Sequence, residues 1–279
     1  MTRTVLITGC STGFGEATAR LFATRGWNVV ATMRRPEAGA SLAALGDNVL
    51  VTRLDVQDPA SIDAAVAEAI ARFGRIDVLV NNAGFGLFGV FEAAPRDKIQ
   101  EQFDVNVFGV MDVTRALLPH FRANRAGTIV NISSGAGVFT LPMISLYCAS
   151  KFALEGFSEA LSYELGSLGI AVKIVEPGGV TKTSFGERSA AEAGHSAELP
   201  DYRPFLEGAM AIFAGLRASR ADATSEEVAE VIWTAATDGT DQLRYVATDD
   251  IKPLVRARRE TSEAKYMAFM RERMTPRIG

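Results

Sequence analysis

Cysteine, histidine and tryptophan are each present only twice in 279 residues. Cys10 and Cys148 stand far apart, which excludes a disulfide framework and a paired metal-ligand spacing. His120 and His195 have no partner at a zinc-like interval, so no metal site is expected. Basic excess is missing too. The formal net charge is −4, which argues against nucleic acid or an anionic membrane surface as partner and leaves a small molecule. Residues 1–9 lack the charged leader, apolar stretch and small-residue cleavage site of an export signal, so a cytoplasmic location is expected. The charge-free run from Ala126 to Ser150 is long enough to suggest a membrane span. Its Asn131, Ser133, Ser134, Gly135, Gly137, Thr140, Pro142 and Ser145 make it too polar and too broken for hydrocarbon. A buried strand leading into a closed site accounts for it better.

What is present is an ordinary globular balance, 48% hydrophobic and 22% charged, able to bury a substantial core. One domain spanning 1–279 is the default for this length. Short β-branched runs recur at Val5–Thr8, Asn28–Thr32, Val49–Leu54, Asp77–Asn81, Thr128–Ser133, Ala171–Glu176 and Arg244–Thr248, with longer helical patterns between them. That is the rhythm of βαβ units. Val78-Leu79-Val80 and Ile129-Val130 are continuously apolar, as in strands covered on both faces. The expected fold is a single Rossmann-like, doubly wound α/β domain, its mostly parallel sheet of about seven strands flanked by helices on both faces. Asp58-Pro59 opens a helix that Gly74 closes, Gly26 follows the first helix, and Thr224 to Glu227 reads as a capping box. Two regions break the rhythm: an Ala, Gly, Glu and Ser-rich stretch at 184–223, expected as a substrate lid, and a charged helical extension at 251–275.

The first strand runs directly into Thr8-Gly9-Cys10-Ser11-Thr12-Gly13-Phe14-Gly15 and then a helix. Glycines there permit a tight turn and close backbone approach, and a helix N-terminus offers free N–H groups to a pyrophosphate. The spacing is TGxxxGxG, not the GxGxxG of the two-half dinucleotide fold. In this it resembles the cofactor loop of the single-domain short-chain dehydrogenases/reductases.

After the second strand, Ala31-Thr32-Met33-Arg34-Arg35 has no carboxylate to meet an adenosine ribose 2′-hydroxyl and offers two guanidinium groups instead. Arg34, Arg35 and Ser11 suit a 2′-phosphate, so NADP(H) is expected over NAD(H). The competing reading makes both arginines solvated loop charges. Asp55, in Leu54-Asp55-Val56, resembles the family's adenine-contacting acid, Asp58 being the more natural helix cap. Asn81-Asn82-Ala83-Gly84 ends the fourth strand at the expected switch in strand order. The resemblance implies that Asn82, Ala83 and Gly84 line the nicotinamide-ribose side, whereas Asn81 is also readable as purely structural.

Tyr147 and Lys151 are four residues apart and would project from one helical face. A neighbouring ammonium favours a phenolate, so Lys151 is expected to lower the Tyr147 pKa. Ile132-Ser133-Ser134 followed by Tyr147-Cys148-Ala149-Ser150-Lys151 resembles the family's active-site signature, and Asn106 matches the remaining member of its tetrad. The resemblance implies hydride transfer between the nicotinamide and a carbonyl or secondary alcohol. Tyr147 would exchange a proton with the substrate oxygen, Ser134 would hold that oxygen, Lys151 would hold the nicotinamide ribose, and Asn106 would position a water. Strand alternation rejects Ser133 as the catalytic serine. Cys148 reads as a packed small hydrophobe. Taken singly, Tyr147 and Lys151 also read as a surface helix pair, Ser134 as a turn serine and Asn106 as a buried amide.

Glu176-Pro177-Gly178-Gly179-Val180-Thr181-Lys182-Thr183 resembles the family's nicotinamide-amide segment, with Pro177, Gly178 and Val180 in its backbone. Lys182 stands where the family commonly has threonine, so either Thr181 or Thr183 takes that contact. Val138, Phe139, Leu141, Met143 and Phe185 are readable as an apolar pocket for a hydrophobic substrate or as core. A β-ketoacyl-carrier reductase and a non-catalytic NADP(H)-binding regulator are the rival functions. The family implies a homodimer or homotetramer.

Overall fold

The computed structural model describes residues 2–180, 199–218 and 223–276. Seven strands form one sheet: β1 (Thr4–Ile7), β2 (Asn28–Met33), β3 (Val49–Arg53), β4 (Val78–Asn81), β5 (Gly127–Ile132), β6 (Ile170–Glu176) and β7 (Arg244–Val246). Their order is β3-β2-β1-β4-β5-β6-β7, and every pairing is parallel. The seven sequence-predicted strands all appear, and the sheet is wholly rather than mostly parallel. Strand order reverses beside β1, which pairs β2 on one edge and β4 on the other. That crevice is where a doubly wound sheet offers a ligand site.

Successive side chains point to opposite faces of a strand, and the two cores divide accordingly. Val5, Ile7, Val29, Val78, Val80, Val130 and Ile132 pack on one face with Phe22 of α1 (Gly13–Thr24) and with Val228 and Ile232 of a later helix, Ser225–Thr237. Leu6, Val30, Leu79 and Ile129 pack on the other with α3 (Pro59–Phe73), α5 (Gly109–Asn124) and α6 (Ser145–Gly166). Between α1 and α3 lies the short α2 (Ala40–Ala43). Phe22, Trp27 and Trp233 meet ring to ring, with Phe22–Trp27 edge-on at a centroid distance of 5.2 Å.

The punctuation read from the sequence is in place. The Asp58 carboxylate accepts from the Ser61 N–H at the start of α3, and Gly74 ends that helix at φ 78°. Thr224 and Glu227 form a reciprocal capping box. The α4 helix (Arg96–Phe103) does not pass straight into α5. A π-helical turn, Asp104–Phe108, joins them and carries Asn106 inward.

Beyond β6, the lid expectation falls partly outside the described residues. Its described portion holds α7 (Arg203–Ala218), and the Ser225–Thr237 helix that comes after it is α8. Phe213 of α7 meets Phe88 ring to ring at 5.1 Å, and the Tyr202 hydroxyl donates to Glu92 at 2.9 Å, so α7 docks on the loop after β4. The C-terminal extension is two helices, α9 (Lys252–Glu260) and α10 (Glu263–Met274). Their Leu254, Val255, Tyr266 and Met270 close over Val138 and Phe139, which are 7% and 2% exposed. Those two residues are therefore core. Among the described residues no helix is long and apolar enough to cross a membrane. The charge-free run becomes β5, a short turn and the start of α6.

Candidate functional site

The C-terminal ends of β1 and β4 are joined by side chains. Thr8 Oγ1 accepts from the N–H groups of Asn82 and Ala83, both at 3.0 Å, and Asn82 Nδ2 donates to the carbonyls of Thr8 at 2.9 Å and Gly9 at 3.1 Å. This holds open the turn that Gly9 and Gly13 make at φ 73° and 60°. A Cβ on Gly15 would overlap the Gly9 carbonyl, so only glycine lets α1 begin this close to β1. The Thr12 side chain does not cap α1. The first-turn N–H groups are partial positive charges at a half-exposed loop, of the kind that suits an anion. A pyrophosphate fits this cradle.

Arg34 and Arg35 follow β2, exposed, and neither side chain has an ion pair or hydrogen bond with the described residues. Asp55 follows β3; its Oδ1 accepts from the Gln57 N–H at 3.1 Å. Asp58 caps α3 and pairs with Arg53 at 3.0 Å, so capping falls to Asp58, as the sequence suggests. Val56 beside it is buried. Asn81 is structural: its Nδ2 donates to Thr114 at 3.1 Å and to Asn131 at 2.8 Å.

Ser134 and Tyr147, thirteen positions apart, come together, close enough for the serine hydroxyl to favour the phenolate. Ser134 Oγ also accepts from the Ala136 N–H at 3.1 Å. Ser133, next to it, points the other way, toward Glu155, since a Cβ on Gly137 would touch both Ser133 Oγ and Glu155 Cγ. Lys151 Nζ donates to the Ile132 carbonyl at 2.8 Å and stands 5.7 Å from the centre of the Tyr147 ring. Lys151 and the Asn106 amide approach Gly84 together, 3.8 and 3.1 Å from where its Cβ would lie. The structure thus brings Ser134, Tyr147, Lys151, Asn106 and Gly84 into one place.

Two findings change the sequence reading of these groups. Burial pushes the Tyr147 phenol up to about 12, against a smaller lowering by Ser134. The Lys151 ammonium is turned to the Ile132 carbonyl and is itself pulled down by burial, to about 8, with Glu155 opposing. The Asn106 side chain, fully buried, donates to the Phe85 carbonyl at 2.7 Å and to Ser150 at 3.0 Å, and accepts from the Phe85 N–H at 3.0 Å. Its amide hydrogens are both committed. A water there would need the backbone of the π turn.

Pro177 accepts from the Gly135 N–H at 2.8 Å, which ties the segment after β6 to the turn that carries Ser134. Gly178 N–H donates to Thr248 Oγ1 at 2.9 Å and Gly179 N–H to Asp250 at 3.4 Å. A Cβ on Gly178 would overlap both partners. Val180 is half-buried. Thr181, Thr183 and Phe185 lie outside the described residues. Cys10 and Cys148 are buried, and burial pushes both thiols up, Cys10 to about 12. Neither is a nucleophile. Among the described residues no group of histidine, cysteine and carboxylate side chains is placed to hold a metal.

Sequence reasoning missed a buried ionic cluster beside Lys151. Glu155 and Glu176 flank Arg244, and Arg259 of α9 also pairs with Glu176. The four-residue spacing Tyr147, Lys151, Glu155 was the available signal for the first member.

A family model described as short chain dehydrogenase matches residues 3–193. An uncharacterised oxidoreductase of Schizosaccharomyces pombe is 40% identical over 243 residues, covering 87% of this chain and 99% of that protein. Human 17-beta-hydroxysteroid dehydrogenase type 1 is 36% identical over 283 residues, 97% of this chain and 85% of the relative. A short chain dehydrogenase/reductase from Burkholderia phymatum, solved in complex with NAD, superposes with a TM-score of 0.79 at 27% identity, over 93% of each chain. Other structural neighbours were solved with NADP.

Proposed function

The chain belongs to the short-chain dehydrogenase family, and on that premise we propose an NADP(H)-dependent oxidoreductase in which Tyr147 is the acid/base for a carbonyl or secondary alcohol. Membership makes it an oxidoreductase that moves a hydride at CH–OH or C=O groups of small molecules. One observation carries the finer reading: the Tyr147 hydroxyl, beside Ser134, sits with Lys151 at the strand ends that also bear the glycine turn.

When bound, the reduced dinucleotide supplies the hydride, and the protein's own groups bind, orient and exchange protons. Gly9, Thr12, Gly13, Phe14 and Gly15 would hold the pyrophosphate with backbone N–H groups, and Ser11 would be a neutral donor to a 2′-phosphate. Arg34, aided by Arg35, holds a 2′-phosphate by charge-assisted hydrogen bonds. Asp55 and Val56 flank the adenine, while Asn82, Ala83, Gly84 and Lys151 meet the ribose near the nicotinamide, with Pro177, Gly178 and Val180 beyond. A substrate carbonyl oxygen entering beside Tyr147 and Ser134 accepts a hydrogen bond from the serine and the proton of the phenol.

A phenol held near 12 keeps that proton at neutral pH, which suits reduction. Alcohol oxidation needs the phenolate, and so needs the Lys151 charge turned toward the phenol. Asn106 keeps the Gly84–Phe85 loop in place through its side chain and offers its backbone to a relay water. The substrate is apolar, bounded by Leu141 and Met143 and by the described part of the lid, α7, all within a single domain.

The test is an NADPH-depletion screen over apolar ketones, aldehydes and acyl thioesters. Turnover of free ketones supports this reading. Turnover confined to carrier-linked β-ketoacyl groups would replace it with a carrier reductase, and none on any class with NADPH bound would leave a regulator.

A further inference from the structure

Helix α6 presents Tyr147, Lys151 and Glu155 at successive intervals of four, so Glu155 stands one turn beyond the lysine on the same face. Glu155 is only 6% exposed, and one of its oxygens, Oε1, is buried without a hydrogen-bond partner among the described residues. Its other oxygen meets Arg244 Nε at 2.9 Å. Arg244 also reaches Glu159 and, at 3.7 Å, the fully buried Glu176. Glu176 in turn pairs with Arg259 of α9, and its Oε2 is likewise buried without a partner among the described residues. Lys151, Glu155, Arg244, Glu176 and Arg259 thus alternate in charge from the candidate site to the C-terminal helices. Burying Lys151, Glu155 and Glu176 is costly unless their charges are paired and hydrogen-bonded.

We infer that Glu155 is a positioning residue for Lys151, its buried carboxylate holding the lysine charged while Arg244, Glu176 and Arg259 anchor that carboxylate to the C-terminal extension. The inference rests on the reading of Lys151 as the cation that holds the cofactor ribose. The groups around the lysine are Tyr147 and Glu155 on its own helix, the Ile132 carbonyl from β5, and the Asn106 amide from the π turn. Behind Glu155 stand Ser133 of the segment after β5, Glu176 of β6 and Arg244 of β7. Burial alone would discharge Lys151 within the working pH range, and Glu155 opposes this. Burial and the neighbouring Glu176 carboxylate raise Glu155, and the Arg244 guanidinium opposes them.

The experiment tracks the Lys151 midpoint in cofactor-free protein by NMR of ε-carbon-labelled lysine, with Lys151→Met identifying the resonance, alongside NADPH affinity as a function of pH. Glu155→Gln, with Glu155→Ala as a second neutral variant, is expected to lower the midpoint by about 1 unit. Glu155→Asp, which keeps the charge, returns it most of the way. A midpoint unchanged in either neutral variant overturns the inference. If instead Lys151→Met binds NADPH as well as the parent protein does, it is the reading of the lysine that fails.

Discussion

Lys151 Nζ stands 5.7 Å from the centre of the Tyr147 ring, one helical turn away, yet its hydrogen bond goes to the Ile132 carbonyl, 2.8 Å distant on β5. Helical spacing puts the two side chains on one face, and strand packing decides what each touches. The lysine is thereby parked at the strand end where a ribose would lie, and the phenol is left to Ser134.

Tyr147→Phe removes the proton donor and leaves the ring. NADPH oxidation with a good ketone should fall by about 10²-fold or more, the usual contribution of a positioned acid, with NADPH affinity nearly unchanged. Steady-state rates together with a fluorescence titration of NADPH check this; undiminished turnover would remove Tyr147 from the mechanism.

NADPH affinity should weaken as pH rises through about 8, the value to which burial brings Lys151. The sign comes from the charge: below the midpoint the lysine is a cation facing the cofactor, and above it the cation is lost. Affinity measured from about pH 6 to about pH 10, a range that brackets the lysine midpoint, should show one alkaline limb, and Lys151→Met should flatten it. An alkaline limb persisting in Lys151→Met would assign the titration to another group.

Arg34→Ala should weaken NADP(H) about tenfold or more while NAD(H) changes little, because only the former presents a 2′-phosphate for a charge-assisted bond. Dissociation constants for both cofactors on both proteins decide it. Equal losses would remove Arg34 from the phosphate contact.

Asn81→Ala deletes the donor to Thr114 and Asn131 and strands the buried Asn131 acceptor. The expected cost is about 2 kcal/mol, from lost hydrogen bonds and an unsatisfied partner. Chemical denaturation should show it as a lower midpoint, with NADPH affinity of the folded protein retained. A cofactor defect larger than the stability loss would give Asn81 a role at the site that its contacts do not indicate.

The seven strands, their parallel packing and the glycine loop were legible along the chain, because each depends on near neighbours. Alternating or continuous apolar runs report how many faces of a strand are covered, and Gly9, Gly13 and Gly15 report a turn with no room for Cβ atoms. The Tyr147, Lys151 spacing likewise determined that both side chains share a helical face. Which partners those side chains meet belonged to the tertiary structure. No local pattern marks the π turn that brings Asn106 to Phe85, the assignment of Val138 and Phe139 to the core beneath α9 and α10, or the meeting of Glu155, Glu176 and Arg244 from three elements. Their burial, and with it the raised phenol of Tyr147 and the lowered ammonium of Lys151, comes from atoms far off in the chain. Desolvation is a property of the packed interior and has no counterpart in residue spacing.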